Sequence, residues 1–281
     1  MRRSEQVLAA YFVYTALVAQ VLPVRPAIPA VTAILNLTIL AGLALLIYAD
    51  SFRHGELLGV IRDWFPFPLM LLAYREMGWF AVPHHSFRLE NAFVAWDRRV
   101  LRDWGVHAAI ESLGPLLPAI LEIAYSLTYV VAPFAVTMLY VYRRRQRVDR
   151  LLFPFALGVL LCYVQFPAWP SEPPRAVFPG EDFPFWNTVF RQFNWWMLGG
   201  YGIHTSVFPS AHVAGALGAA LGARRTLPER PWVGRFLLVV ATLIATATVY
   251  GRYHYLADAV AGLIMCLLAF AITARTGGKE H

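Results

Sequence analysis

At 58% hydrophobic and only 15% charged residues, with a mean hydropathy of +0.52, this 281-residue chain is too apolar for a soluble domain, which carries about a quarter charged residues. Its formal charge of +7 is almost all arginine, Lys279 being the one lysine. No basic stretch is interleaved with aromatics, so nucleic acid is excluded as a partner and the arginines read as a topology signal in a membrane protein.

The apolar runs are continuous and Leu/Ala-rich, without the alternation of a β-barrel. The fold class expected is therefore all-α, a polytopic transmembrane helix bundle. Val7 to Leu22 makes a first helix, closed by the turn Pro23-Val24-Arg25-Pro26, and Pro29 to Ala49 a second. Asp50 to Asp63 is polar and belongs in water or at the interface. Trp64 to Phe80 is short, opens on Pro66 and Pro68 and ends near Arg75-Glu76, so it could span, re-enter or lie in the interface. In residues 81–112, Phe93, Trp96, Val100, Leu101 and Trp104 follow helical spacing between charges, which predicts a surface helix with its charges in water.

Leu116 to Tyr142 reads as the next clear span and stops at Arg143-Arg144-Arg145-Gln146-Arg147. Leu151–Gln165 follows, then a polar-aromatic loop from Phe166 to Thr205, then spans at Val207–Ala223, Val233–Tyr250 and Tyr255–Ala274. The cluster at 143–150, the loop arginines Arg224, Arg225 and Arg230, and Arg275 with Lys279 agree in parity as cytoplasmic. Placing Arg2 and Arg3 there too gives about eight spans; without a crossing at Trp64–Phe80 there are seven. Two parts are expected, residues 1–112 (N-terminal helices and surface segment) and 113–281 (catalytic core). Cys162 and Cys266 sit in apolar runs as filler.

That parity brings two polar helix starts to the outer, non-cytoplasmic face of an integral membrane protein, most simply of the cell (inner) membrane. One is Pro209-Ser210-Ala211-His212; the other is Gly251-Arg252-Tyr253-His254-Tyr255-Leu256-Ala257-Asp258. Imidazoles and carboxylates beside hydrocarbon are costly and mark function by default. His254 and Asp258 are four apart and share a helical face, so the aspartate can fix the imidazole tautomer. Arg175 and Arg252 offer forks for phosphate oxygens. Ser210 is a cap or a phosphate ligand, and the helix start at His212 favours an anion. Together they describe a phosphoryl-transfer site with His254, His212 and Asp258 catalytic and Arg175, Arg252 and Ser210 on phosphate, needing no metal or other cofactor. Trp186, Trp195 and Trp196 read as an interfacial belt, and His54, His84, His85, His107, His204 and His281 as surface histidines. A His/His/Asp iron triad and an outer-vestibule transporter are the rival classes. Cations beside a dication argue against the first. The absence of midplane charge argues against the second.

These motifs resemble the type 2 phosphatidic acid phosphatase superfamily over residues 165–262. Pro209-Ser210-Ala211-His212 matches its second motif, with alanine where glycine is usual. His254 and Asp258 with Ala261-Gly262 match the third. Pro174-Arg175 stands for the first, but Ala168 replaces its lysine, and Ala247-Thr248 replace the Ser-Arg of the third. Arg252, one helical turn after Thr248, is expected to supply the missing guanidinium. The pattern looks most like the inositol phosphorylceramide synthase-like branch. The resemblance implies a six-helix catalytic core and a lipid phosphate or phospholipid substrate. His254 would attack phosphorus, Asp258 would orient it, and His212 would protonate the leaving oxygen and activate water or an alcohol.

Overall fold

The computed structural model describes residues 1–53, 55–80, 86–203, 205 and 207–277; His54, His84, His85, His204, His281 and Lys279 lie outside these. The described residues form helices and no strand. In chain order the helices are α1 (Arg3–Val18), α2 (Ile28–Arg53), α3 (Glu56–Trp64) and α4 (Pro66–Met77); then α5 (Arg88–Arg98), α6 (Val106–Glu111), α7 (Leu116–Ser126), α8 (Val131–Val141) and α9 (Val148–Tyr163). α10 (Pro174–Val177), α11 (Val189–Tyr201), α12 (Ala211–Thr226), α13 (Pro231–Tyr250) and α14 (Leu256–Gly277) complete the fold.

The core is the packing of α12 on α9, α13 and α14. Small residues permit it: a Cβ on Gly218 would lie 3.3 Å from the Phe155 backbone of α9, so α9 and α12 approach almost backbone to backbone. Without a hydrophobic driving force between helices in lipid, such close van der Waals contact is what holds them together. α2 shows the opposite pattern. Ile34, Leu37 and Leu45 are exposed on one side while Thr32, Asn36, Ile39 and Leu43 are buried on the other, as expected of a helix with one lipid-facing flank.

Among the described residues, Ile28–Phe52, Glu56–Met77, Pro231–Tyr250 and Leu256–Arg275 are long and apolar enough to cross a membrane. Leu116–Tyr129 and Val131–Val141 would make a fifth crossing if taken as one. The chain is an integral membrane protein. α1, α9 and α12 have 16 residues each, about 24 Å of helix, which is short of a full hydrocarbon core.

In the first half of the chain, three elements differ from the sequence expectations. The span expected at Leu116–Tyr142 is broken: α7 and α8 meet at a 67° bend around Val130. The polar stretch Asp50–Asp63 does not lie in water throughout, because α3 runs on into α4 and Asp63 is buried, with Arg2 and Arg145 at 2.6 and 2.7 Å from its carboxylate. The surface segment likewise turns two charges inward, Glu90 and Asp97, while Trp96 and Trp104 face outward. Spacing of apolar residues located that helix but not its orientation, since the inward charges have partners supplied by remote parts of the chain.

Candidate active site

Two short polar starts converge where α12 and α14 begin. The Ser210 hydroxyl caps α12 by accepting from the Val213 N–H at 3.4 Å, while the Ser210 N–H donates to the Asp258 carbonyl at 2.9 Å. A Cβ on Gly262 would sit 2.3 Å from the Ser210 carbonyl oxygen, so only glycine in α14 lets the His212-bearing start dock there. The turn between α13 and α14 then delivers His254. Its N–H and that of Tyr253 both donate to the Thr248 carbonyl, at 2.9 and 3.0 Å, closing the end of α13.

His254 Nδ1 lies 3.0 Å from the Val207 carbonyl and 3.2 Å from Asp258 Oδ2, two acceptors that place the proton on Nδ1 and leave Nε2 as a free lone pair. Asp258 Oδ2 also accepts from the Tyr255 N–H at 2.9 Å, so the carboxylate is itself fixed. Burial first, then the Arg175 guanidinium, push the His254 imidazole down to about 3, against a smaller upward pull from the Val207 carbonyl. Neutral imidazole is therefore the resting form. The His212 ring stands edge-on to it, with centroids 5.4 Å apart, and its Nδ1 is 3.3 Å from the Thr128 hydroxyl.

Both histidines open onto one cavity with about 1040 Å³ of empty space, mouth included. Arg175 enters from the loop after α9, carried by the proline-started α10. Its backbone N–H donates to the Arg252 carbonyl and its Nη1 to the Tyr253 carbonyl, both at 3.3 Å. Beneath it Tyr253 stacks on Tyr125 at 3.9 Å and donates its hydroxyl to Glu122 at 2.5 Å. Glu122 is buried and also accepts from Arg191 (3.0 Å) and Asn194 (2.8 Å), which ties α11 to α7.

The structure thus brings His212, His254, Asp258 and Arg175 together, and it separates Arg252 and Ser210 from the cavity wall. Arg252 is not on a helix. α13 ends at Tyr250 and Arg252 has φ 62°, so Arg252 does not share a helical face with Thr248. Its guanidinium is wholly buried and bonds Asp97 at 2.5 Å. The second oxygen of Asp97 accepts from the Leu256 N–H at 2.8 Å, so one carboxylate grips the turn on both sides of His254. A left-handed, non-glycine residue costs about 1–2 kcal/mol, and this buried charge pair is what holds it there. Asp97, Glu122 and the helix α11 inside the supposed loop went unread in the sequence. Asp97 sat among charges assigned to solvent, but its spacing from Val94 and Leu101 on the buried face was a usable signal.

The geometry is that of an α-helical membrane protein with a buried His–Asp pair and a second histidine at the head of one cavity. The chain belongs to the PAP2 superfamily, whose family model matches residues 91–272. It is also 42% identical over 64 residues to a PA-phosphatase related-family protein of Dictyostelium discoideum. That match covers 22% of this chain and spans 11% of the length of that relative. No solved structure matches.

Proposed function

We propose that the chain is a lipid-phosphate phosphatase or phosphotransferase working through a phosphohistidine, with its catalytic end on the non-cytoplasmic side and His254 as nucleophile. The observation that carries this is the His254 environment: with Nδ1 facing the Val207 carbonyl and Asp258, Nε2 is the free atom at the cavity. Its lone pair forms the N–P bond as the P–O bond to the lipid alcohol breaks. An arriving phosphate anion favours the protonated form of His212, which then donates to the departing oxygen. In the second step His212 takes the proton from water or an alcohol, whose oxygen displaces His254 from phosphorus. Asp258 stabilises the positive charge on the phosphorylated ring, and Arg175 neutralises the equatorial oxygens. Arg252 and Ser210 serve by position, one holding the turn and the other capping α12.

One observation favours transfer from a phosphodiester, as in an inositol phosphorylceramide synthase-like reaction. Among the described residues Arg175 is the only arginine or lysine lining the cavity; Arg252 lies outside it, with Nη1 on Asp97. A phosphate monoester carries roughly −1.5 to −2 at pH 7. A diester carries one negative charge, which a single guanidinium matches.

The test uses purified protein in detergent with phosphatidic acid and with a phosphatidyl-polyol, each labelled at phosphorus. Acid quenching and alkaline quenching in the pre-steady state should show an alkali-stable, acid-labile phosphoprotein with the diester as the better donor. His254→Ala should abolish it and cut turnover by about 10³-fold or more. A His254→Ala protein that still turns over normally would sink the mechanism.

A further inference from the structure

The cavity that begins at the two histidines does not end there. It runs between α4 and the broken pair α7–α8, and its far walls are apolar: Phe67, Met70 and Leu71 from α4 face Ala132 and Pro133 from α8. α4 lies before residue 91, where the family match begins, so this wall comes from outside the shared segment. Its outer end is fixed at the level of the site, because the Tyr74 hydroxyl accepts from the Ile203 N–H at 3.0 Å and Tyr74 lines the cavity beside Arg175. Phe67 is seven residues earlier on the same helix, hence about 10 Å deeper into the bundle.

The cavity is also open sideways. Leu71 is 53% exposed and Tyr129 40% exposed, although both line it. Tyr129 adjoins the place where the chain bends by 67°, and Leu71 lines the same cavity from α4. Leu71 lies on a helix with the length and composition of a span, and in a bilayer its exposed flank meets hydrocarbon. A polar reaction centre joined to an apolar slot with a flank at membrane depth has the shape of a two-part ligand. The charged group sits at the histidines and the hydrocarbon leaves sideways.

We propose that α4 and the α7–α8 bend form a lateral slot for the acyl chain of the substrate. Leu71 and Ala132 then set which chains the enzyme accepts. This rests on the phosphoryl-transfer reading above and adds the element that selects the lipid. The occupant is an acyl chain because the slot is continuous with the cavity holding His254, apolar throughout its deeper part and open on a flank of a candidate span.

The experiment compares two substrates with one headgroup, a long-chain lipid in mixed micelles and a short-chain, monomeric analogue. Leu71→Trp, at the opening, and Ala132→Phe, inside the slot, should each lower kcat/KM for the long-chain lipid by tenfold or more. The short-chain analogue should change by less than threefold. Equal losses on both substrates, or no loss on either, would overturn the proposal. A second arm needs no variant. A lipid with a photoactivatable group along its acyl chain should label the peptide containing residues 66–77, and excess unlabelled substrate lipid should suppress that label. Labelling that is absent, or indifferent to competition, overturns the slot. Wild-type protein inert toward both substrates would instead remove the phosphoryl-transfer reading, and the labelling arm would still decide the slot.

Discussion

Arginine is used in two opposite ways in this molecule. At the end away from the histidines the arginine–carboxylate contacts are staples. Arg62 bridges Glu5 and Asp50 at 2.7 and 2.6 Å, Arg2 and Arg145 share Asp63, and Arg144 and Arg147 meet Glu229 at 2.6 and 2.9 Å. These pairs join α1, α2, α3, the turn between α8 and α9, and the loop after α12. At the histidine end Arg191 and Arg252 are stapled in the same way, to Glu122 and Asp97, but Arg175 is held by the Tyr253 carbonyl and lies over the Tyr253 ring, and among the described residues no carboxylate pairs with it. The difference separates structure from chemistry. A guanidinium already neutralised by a carboxylate has little left for an anion, whereas one positioned by carbonyls keeps its full charge for a ligand. Arg252 sits near the site but belongs, by this measure, with the staples.

The largest effect should come from exchanging the roles of two arginines. Arg175→Ala is expected to lower kcat/KM by about 10²–10³-fold with little change in Tm, as removal of one donor to transition-state charge does. Arg175→Lys should recover only part, because a point charge replaces a planar fork. Arg145→Ala, at the opposite end, should do the reverse and lower Tm while kcat/KM stays within twofold. A parallel fall of activity and Tm in both variants would erase the distinction.

Next in size is Asp97→Asn, which tests where Arg252 belongs. Breaking one partner of a buried pair costs about 3–5 kcal/mol, and here it also loosens the turn that presents His254. We expect kcat to fall about ten- to a hundredfold with KM nearly unchanged, and a lower Tm. If Arg252 gripped substrate instead, KM would rise and Tm would hold.

The same pair predicts a pH signature. Burial pushes the Asp97 carboxyl up to about 6, with Arg252 and the Leu256 N–H pulling it back and Asp258 adding to the rise. His254 sits at about 3 and stays neutral throughout this range. As pH falls through about 6, Asp97 takes a proton, the ion pair is lost and kcat is expected to decline, well before His254 is protonated. In Asp97→Asn this limb should be absent and the profile flat at its lower level down to about pH 4. Measuring kcat with a diester donor avoids the second ionisation of a monoester, which falls in the same window.

The readable part of the site was the part carried by local chemistry. His254 and Asp258 announce themselves by i,i+4 spacing, and His212 by its place behind Pro-Ser at the head of an apolar run. Arg175 stands out by the two prolines before it. Apolar runs likewise gave the long helices α2, α13 and α14 within a few residues. What sequence could not show depends on remote partners. Asp97 looks like one more solvated charge until Arg252, 155 residues away, meets it. Arg252 looks like a phosphate ligand until the left-handed turn at the end of α13 takes it off the helix. The bend at Val130 has no proline or glycine at the break itself. Helix α11 was hidden because its buried face carries Arg191 and Asn194, polar residues whose partners, Glu122 and Ser126, come from α7.

The smallest effects belong to the staples themselves, and their ranking follows burial. Asp63 is 2% exposed and serves Arg2, Arg145 and the Tyr140 hydroxyl, so Asp63→Asn leaves three donors short of a carboxylate and should cost about 1–3 kcal/mol. Glu229 pairs with Arg144 and Arg147 in the open, where water and salt compete for every charge. Glu229→Gln should therefore shift Tm less than Asp63→Asn does, and the shift should shrink further in high salt, while that of Asp63→Asn persists. Both variants should keep kcat/KM within twofold, because no described contact links either carboxylate to His254. A loss of turnover in Glu229→Gln without loss of fold would mean that the two ends of the bundle are coupled, and the division between stapling and chemical arginines would no longer hold.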